Sequence, residues 1–310
     1  MGIAAVSILM VHADANHVAL GQLVPILRLS QFGNALFFML SGFGLFFSLN
    51  KVQWSSSGLI KWYKKRLLRI FVPYLIWCIP FFIYQILVFP DTDWFNWLYV
   101  FSLLSYWDGS GGVAWFLSVL VAFYLIAPLI YKALLFKNHV ITNTLIISIV
   151  AQALYFLKPA NVTFGLICSN MPNLLAFTWG MLLASLSKSN LTVSNWWFIS
   201  CGLVAIGLYF ISHGASHMFH FGTCLVVLPF LIRVLDKLKH DAKVLRWMGK
   251  ISLESYLTNG ALPRIVALIP WGGAIWLNSG NYLGYSIVIV AGLFLAWLIH
   301  KMSEPIIRRI

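Results

Sequence analysis

The sequence opens with MGIAAVSILMVHADANH (residues 1–17), in which a run suited to lipid ends at a histidine. Residues 2–11 are apolar apart from Ser7, and His12 follows them directly. The same character extends over the whole chain, which is 61% hydrophobic and 9% charged, with a mean hydropathy of +0.87. A soluble domain carries about 25% charged residues. The sequence therefore predicts an all-α integral membrane protein.

Apolar runs recur along the chain, and a membrane-spanning helix needs about 20 such residues. The stretch Trp94–Trp107 is shorter, rich in aromatic residues and flanked by Asp91, Asp93 and Asp108, which favours an interfacial or re-entrant helix. We predict a single transmembrane domain over residues 1–310, built as a bundle of about ten helices. The predicted spans are residues 2–20, 32–48, 68–89, 113–131, 139–157, 162–186, 195–212, 218–233, 250–269 and 282–300.

The formal net charge of +13 comes from lysines and arginines that lie mostly in short loops between these runs. Cytoplasmic loops of membrane proteins carry an excess of such residues. With ten spans and both termini cytoplasmic, every basic residue except Arg28, Lys158 and Arg264 falls on the inner side. The charge is thus explained by orientation in the bilayer, and nucleic acid is not predicted as a partner.

The four cysteines lie in apolar segments and show no CxxC spacing. Buried cysteines in such surroundings behave as small hydrophobic residues. We therefore predict neither a disulfide nor a metal site at Cys78, Cys168, Cys201 and Cys224.

His12 is the first ionisable residue within a predicted span. Ten helical residues rise roughly 15 Å, about half of a ~30 Å hydrocarbon core, which places the imidazole near the bilayer midplane. Ionisable residues at that depth are rare and often functional, although a histidine hydrogen-bonded between helices is an equal alternative. Asp14 is a candidate partner, but positions i and i+2 do not share a helix face. A carboxylate from elsewhere, including Asp93 or Asp108, is as plausible.

A basic stretch, KWYKKRLLRIFVPY (residues 61–74), precedes the third span. Contact with lipid headgroups would account for its composition. A second interpretation is an anion clamp, because the forked donors of arginine suit phosphate. The candidates for such a clamp are Lys65, Arg66 and Arg69.

The stretch GKISLESYLTNGALPR (residues 249–264) carries an acidic residue next to a predicted span. Glu254 follows Lys250 at the i, i+4 spacing that favours a helical ion pair. We therefore expect Glu254 to pair with Lys250.

These segments, in this order, resemble the bacterial membrane acyltransferase family 3. The resemblance runs through nearly the whole chain, and its strength lies in the order of several individually weak motifs. The motifs are GIAAVSILMVH ending at His12, LFFMLSGFGLFF (36–47), Arg66-Leu-Leu-Arg69, WFLSVLVAFYLIAPLI (115–130), FTWGMLLA (177–184), GKISLESYL (249–257) and SEP (303–305).

Three positions depart from the family pattern. The arginine expected eleven residues before the histidine falls at Met1, so either the natural start lies upstream or the arginine is lost. Leu120 stands where many members have glutamate. Asn259 replaces a frequent histidine, so that position cannot act as a base.

The resemblance implies O-acylation, with acetyl-CoA or another acyl-CoA as co-substrate and no metal, in the bacterial cytoplasmic membrane. It implies that Arg66 and Arg69, with Lys65, bind the donor and that His12 acts as general base on the acceptor. Asp14, Asp93 and Asp108 are the candidate partners of His12 in that role. Direct transfer and an acyl-histidine relay both fit. The expected acceptor is a hydroxyl of a cell-surface glycan or a lipid-linked sugar. The alternative is a non-enzymatic polysaccharide exporter or flippase, which would have no reason to bind acyl-CoA.

Overall fold

A computed structural model describes residues 1–15, 30–88, 93–110, 114–157, 159–189, 192–212, 216–237, 242–268 and 282–309. Within these ranges the chain is helical and contains no strand, in agreement with the predicted fold class. The helices are α1 (Gly2–Ala15), α2 (Phe32–Leu49), α3 (Ser56–Val88), α4 (Trp94–Phe101), α5 (Trp115–Leu135) with a 3₁₀ turn (Phe136–Asn138), α6 (Val140–Leu157), α7 (Val162–Ser169), α8 (Met171–Lys188), α9 (Asn195–Ile211), α10 (Ser216–Lys237), α11 (Lys243–Lys250), α12 (Ser252–Leu268) and α13 (Tyr282–Arg308).

Six segments of the described ranges are long and apolar enough to cross a membrane, which makes this a multi-pass membrane protein. Two shorter apolar helices, Gly2–His12 and Asn195–Ile211, accompany them. The crossing of the membrane by ten helices and the cytoplasmic side of both termini stay predictions. The six segments are Phe32–Leu49, Trp115–Asn138, Val140–Leu157, Val162–Lys188, Ser216–Lys237 and Ser286–Arg308.

In two of the predicted segments, hydrogen bonds made by side chains mark where a helix begins or ends. The run at 162–186 is interrupted at Asn170, whose side chain donates to Leu166 O at 2.8 Å, and Pro172 lies in the first turn of the helix that follows. Both the backbone N–H and the side chain of Asn170 thereby donate to carbonyls in the last turn of α7, where the helix ends. Within the stretch Trp94–Trp107 only Trp94–Phe101 is helical, as the short helix α4 capped by Asp93, so the stretch is not a membrane-length helix.

The centre of the bundle is the contact between α2 and α8. The apolar window of α2 is 61% buried and that of Val162–Lys188 is 72% buried, against 17% for α6. A Cβ added at Gly42 would overlap Phe177 O, and one added at Gly180 would overlap Met39 O. Two backbones can approach this closely only through small residues, which is how helices associate in lipid. This pair forms the fixed frame for the surrounding helices.

The remaining contacts bring distant parts of the chain to one end of the bundle. Helix α1 packs on α2, α11 and α12, while α13 packs on α12 and α3. As a result, Met1, the basic start of α3, the start of α12 and the end of α13 surround a common cavity.

Candidate functional site

A cavity of about 580 Å³ lies between α2, α3, α5, α12 and α13. Pockets that hold small molecules and cofactors typically measure ~300–1,000 Å³, so this one is large enough for a ligand. It is elongated along the helices. Its wall on α5 extends from Phe116 to Tyr124, and its wall on α13 extends from His300 to Arg308. Each stretch corresponds to a rise of roughly 12 Å, which suits a long, narrow ligand.

One end of this cavity, here called the mouth, is basic. Arg66, Arg69, Lys250 and Arg308 all line it. Arg308 Nη2 binds Glu304 Oε1 at 2.7 Å, so that charge is locally neutralised. The guanidinium groups of Arg66 and Arg69 lie close enough to repel one another. Two adjacent like charges favour the binding of an anion between them.

The arginines are positioned by the two aromatic residues that precede them on α3. Trp62 Nε1 donates to Ser48 Oγ at 2.9 Å, and the Tyr63 hydroxyl donates to Leu125 O at 2.7 Å. These bonds fix the start of α3 against α2 and α5. Arg66 follows one turn later, partly buried, and among the described residues its buried Nε has no hydrogen-bond acceptor. A donor left in this state is available to a ligand.

The basic residues of the stretch 61–74 lie in two different environments in the structure. Arg66 and Arg69 line the cavity, whereas Lys65 is exposed and is not among the described lining residues. The spacing i, i+3 puts the two arginines on one face of α3.

Hydroxyl groups occupy the middle of the cavity. Tyr124 and Ser41 both line it, and the Tyr124 side chain interacts with Ser41 and with both arginines. This region can therefore offer hydrogen bonds to the uncharged part of a ligand.

Glu254 lies in the cavity wall, but its partner differs from the one predicted. Its Oε1 lies 2.9 Å from His300 Nδ1, and the expected pairing with Lys250 was wrong. Helix α11 ends at Lys250, and the chain turns at Ile251 before α12 begins. Lys250 and Glu254 thus belong to different helices, and the i, i+4 geometry does not arise.

His300 is the residue that the sequence argument missed. It lines the cavity, while its side chain keeps 25% of its exposure. The one available signal was its place just before the SEP segment, which the resemblance had already singled out.

The deep end of the cavity is closed by aromatic rings, and His12 lies behind them. The rings of Tyr256 and Phe116 line the cavity with centroids 5.1 Å apart. The His12 ring is centred 6.3 Å from that of Tyr256 and also lies beside Gly260. His12 itself is not among the described lining residues. Tyr256 therefore stands between the cavity and the imidazole.

The carboxylates considered as partners of His12 are placed as follows. Asp14 belongs to α1, but its side chain lies outside the described residues, as does all of His17. Asp93 caps α4, and Asp108 binds Tyr99 and the backbone of Ser110. The hydrogen bond from Tyr99 holds the pKa of Asp108 below its usual range. The pairing of His12 with Asp14 stays a prediction.

The three buried asparagines donate hydrogen bonds to neighbouring polar groups. Asn173 donates to Asn170, which in turn donates to the Tyr106 hydroxyl, and Asn259 donates to Ser255 O. None of these asparagines is among the described residues that line the cavity. The described ranges contain no group of three metal-ligating side chains, and the four cysteines are free thiols.

Comparison with protein families identifies the chain. A family model described as an acyltransferase domain, that of acyltransferase family 3, matches residues 2–301. The chain belongs to this family. Comparison with curated proteins and with solved structures gave no match. Membership of acyltransferase family 3 assigns a membrane transferase that uses an acyl donor, and this confirms the resemblance drawn from the motifs.

Proposed function

We propose that this member of acyltransferase family 3 moves an acyl group, acetyl foremost, from acyl-CoA to a hydroxyl of a cell-surface glycan or a lipid-linked sugar. It would act in the bacterial cytoplasmic membrane as a bundle of ten spans with both termini cytoplasmic. The observation that carries the proposal is the cavity of about 580 Å³ with Arg66 and Arg69 at its mouth, in a chain of this family.

The donor fits the cavity by charge and by shape. CoA has an anionic nucleotide end and a long, narrow arm that ends in the thioester. Arg66 and Arg69 would bind the phosphates, with Lys65 adding positive charge from the exposed side of α3. The arm would extend past Tyr124 and Ser41 towards the aromatic end. In this arrangement the thioester lies next to Tyr256.

His12 would act as the general base on the far side of Tyr256. Rotation of the Tyr256 side chain would join the cavity to the imidazole, which lies 6.3 Å away between ring centroids. Neutral His12 would then take the proton of the acceptor hydroxyl while that oxygen attacks the thioester carbon. Asp14 is the proposed partner that would stabilise the resulting imidazolium. An acyl-histidine formed at His12 is the alternative route with the same residues.

Binding of the donor by the purified protein tests the proposal against the exporter alternative. We expect acetyl-CoA to bind saturably to the detergent-solubilised chain and to be displaced by free CoA, because both present the same phosphates to the mouth. The measurement is equilibrium binding of labelled acetyl-CoA. Absence of binding, in protein whose thermal unfolding shows it to be folded, would contradict the proposed activity and favour an exporter.

A further inference from the structure

A buried carboxylate and a partly exposed imidazole form a pair in the cavity wall that the proposed function does not use. Glu254 is 4% exposed as a whole residue, and its Oε1 contacts His300 Nδ1 at 2.9 Å. A buried carboxylate costs free energy unless it is paired. The two residues are 46 positions apart and reside on different helices, so only the packing of α13 on α12 brings them together.

The hydrogen bond with Glu254 leaves one imidazole nitrogen for the cavity. When a carboxylate accepts from Nδ1, that nitrogen carries the proton and the ring orientation is fixed. Nε2 has no hydrogen-bond partner among the described residues, and His300 lines the cavity. An imidazole held in this way by a carboxylate is the arrangement that moves protons in many transferases and hydrolases.

Helix α12 carries Glu254 of this pair and also lies against His12. Glu254 binds His300, and Gly260, six residues later, lies beside His12. Six residues correspond to a rise of roughly 9 Å. His12 and His300 thus lie near α12 at different levels along its axis, and His300 is the one of the two that lines the cavity.

We propose that His300 is the general acid for the sulfur leaving group and that Glu254 is its positioning residue. This inference rests on the proposed function. As the acceptor oxygen bonds to the acyl carbon, the carbon–sulfur bond breaks and its electron pair passes to sulfur. Sulfur takes the proton from Nε2 of the His300 imidazolium, and free CoA thiol leaves through the mouth. Imidazole regains a proton from water there, while the proton taken by His12 is released separately.

Two tyrosines in the same cavity compete for this role. Tyr124 and Tyr256 both line it and both carry a transferable proton. His300 is favoured because the 2.9 Å hydrogen bond with Glu254 holds its ring, whereas a phenol has to release an anion into apolar surroundings.

The test compares two acyl donors in the substitution His300→Gln. The donors are acetyl-CoA and S-acetyl-4-nitrothiophenol, whose acidic aryl thiol leaves without being protonated. Membrane vesicles from cells that express the chain supply the acceptor, and thiol release is recorded. We expect kcat with acetyl-CoA to fall by about 100-fold and kcat with the aryl donor by less than about 5-fold. The KM for acetyl-CoA should not change, because His300 does not bind the phosphates.

Matched variants separate a proton-transfer role from a structural one. Glu254→Gln should show the same donor-dependent pattern with a smaller loss of kcat. This second variant tests the proposal even if His300→Gln does not fold. His139→Gln makes the same chemical change at an exposed position outside the cavity and should match the wild type. Equal losses with both donors in His300→Gln and Glu254→Gln overturn the proposal. So does a donor-dependent loss found in Tyr124→Phe or Tyr256→Phe instead. A wild type that transfers from neither donor overturns the proposed function itself.

Discussion

The two ends of the helix bundle differ in the side chains that they present. The mouth of the cavity carries Arg66, Arg69, Lys250 and Arg308. The opposite end, where α5, α8 and α10 begin, carries the uncharged, largely aromatic group Tyr106, Trp115, Asn170 and His217, here called the aromatic cluster. A cationic surface attracts a polyanion, whereas aromatic and amide groups suit an uncharged, hydroxyl-bearing molecule. The difference fits the proposed function, in which the donor and the acceptor approach from different ends of the bundle.

The largest expected effect comes from the substitution His12→Ala. The His12 residue lies between the two ends of the bundle. Transfer should fall by at least about 100-fold, because general-base catalysis contributes ~10²–10⁴-fold. Binding of acetyl-CoA should persist, since His12 does not line the cavity. The measurement is labelled-acetyl incorporation together with donor binding. His139→Ala is the matched control, and full activity of His12→Ala would remove His12 from the catalytic role.

A smaller effect is expected from the double substitution Arg66→Gln and Arg69→Gln at the mouth. A hydrogen bond to a charged group contributes ~1.5–3 kcal/mol, and 1.4 kcal/mol is tenfold in affinity. The donor KM should therefore rise by about 10- to 100-fold in the double variant, while the acceptor KM stays constant. Steady-state kinetics with each substrate varied in turn measures both.

The control for this double variant is Lys61→Gln with Lys64→Gln. It removes the same charge from exposed positions of the same helix, outside the described cavity lining. A similar rise in donor KM in this control would mean that Arg66 and Arg69 serve membrane orientation and lipid contact and do not bind the donor specifically.

The smallest effect is expected from Tyr106→Phe in the aromatic cluster. The change removes the acceptor of the 2.7 Å hydrogen bond from Asn170 Nδ2. A bond of this type stabilises the fold by about 1 kcal/mol, so the thermal unfolding midpoint should fall slightly and the donor KM should not move. Tyr99→Phe, at an exposed hydroxyl, should have a smaller effect on unfolding. If Tyr106→Phe raised the donor KM as much as the double arginine variant does, the donor would not be recognised by the mouth alone, and the proposed difference between the two ends would be wrong.

Much of the architecture could be predicted because lipid imposes simple rules on sequence. Each predicted span falls mainly on helical structure where it is described, with breaks at Asn170 and Ile251. The arginines of the cavity could also be found, since Arg66 and Arg69 share a helix face at i, i+3. The same rule does not distinguish them from Lys65, whose exposure depends on how α3 packs.

The remaining features depend on contacts that no sequence rule contains. Glu254 meets His300 because α13 returns beside α12 and because the chain turns at Ile251. The break at Asn170 depends on a side chain that bonds both its own helix and the distant Tyr106. The position of Tyr256 between the cavity and His12 is likewise a product of packing among three helices.

The closure of the cavity by Phe116 and Tyr256 also bears on the cell's energy supply. An aqueous passage through the bundle would let protons and sodium ions run down their gradients. The rings of Phe116 and Tyr256, centred 5.1 Å apart, place two aromatic side chains across this end of the cavity. The proposed thioester would thus be brought deep into the membrane behind an aromatic wall, which would help to conserve the electrical potential between the compartments.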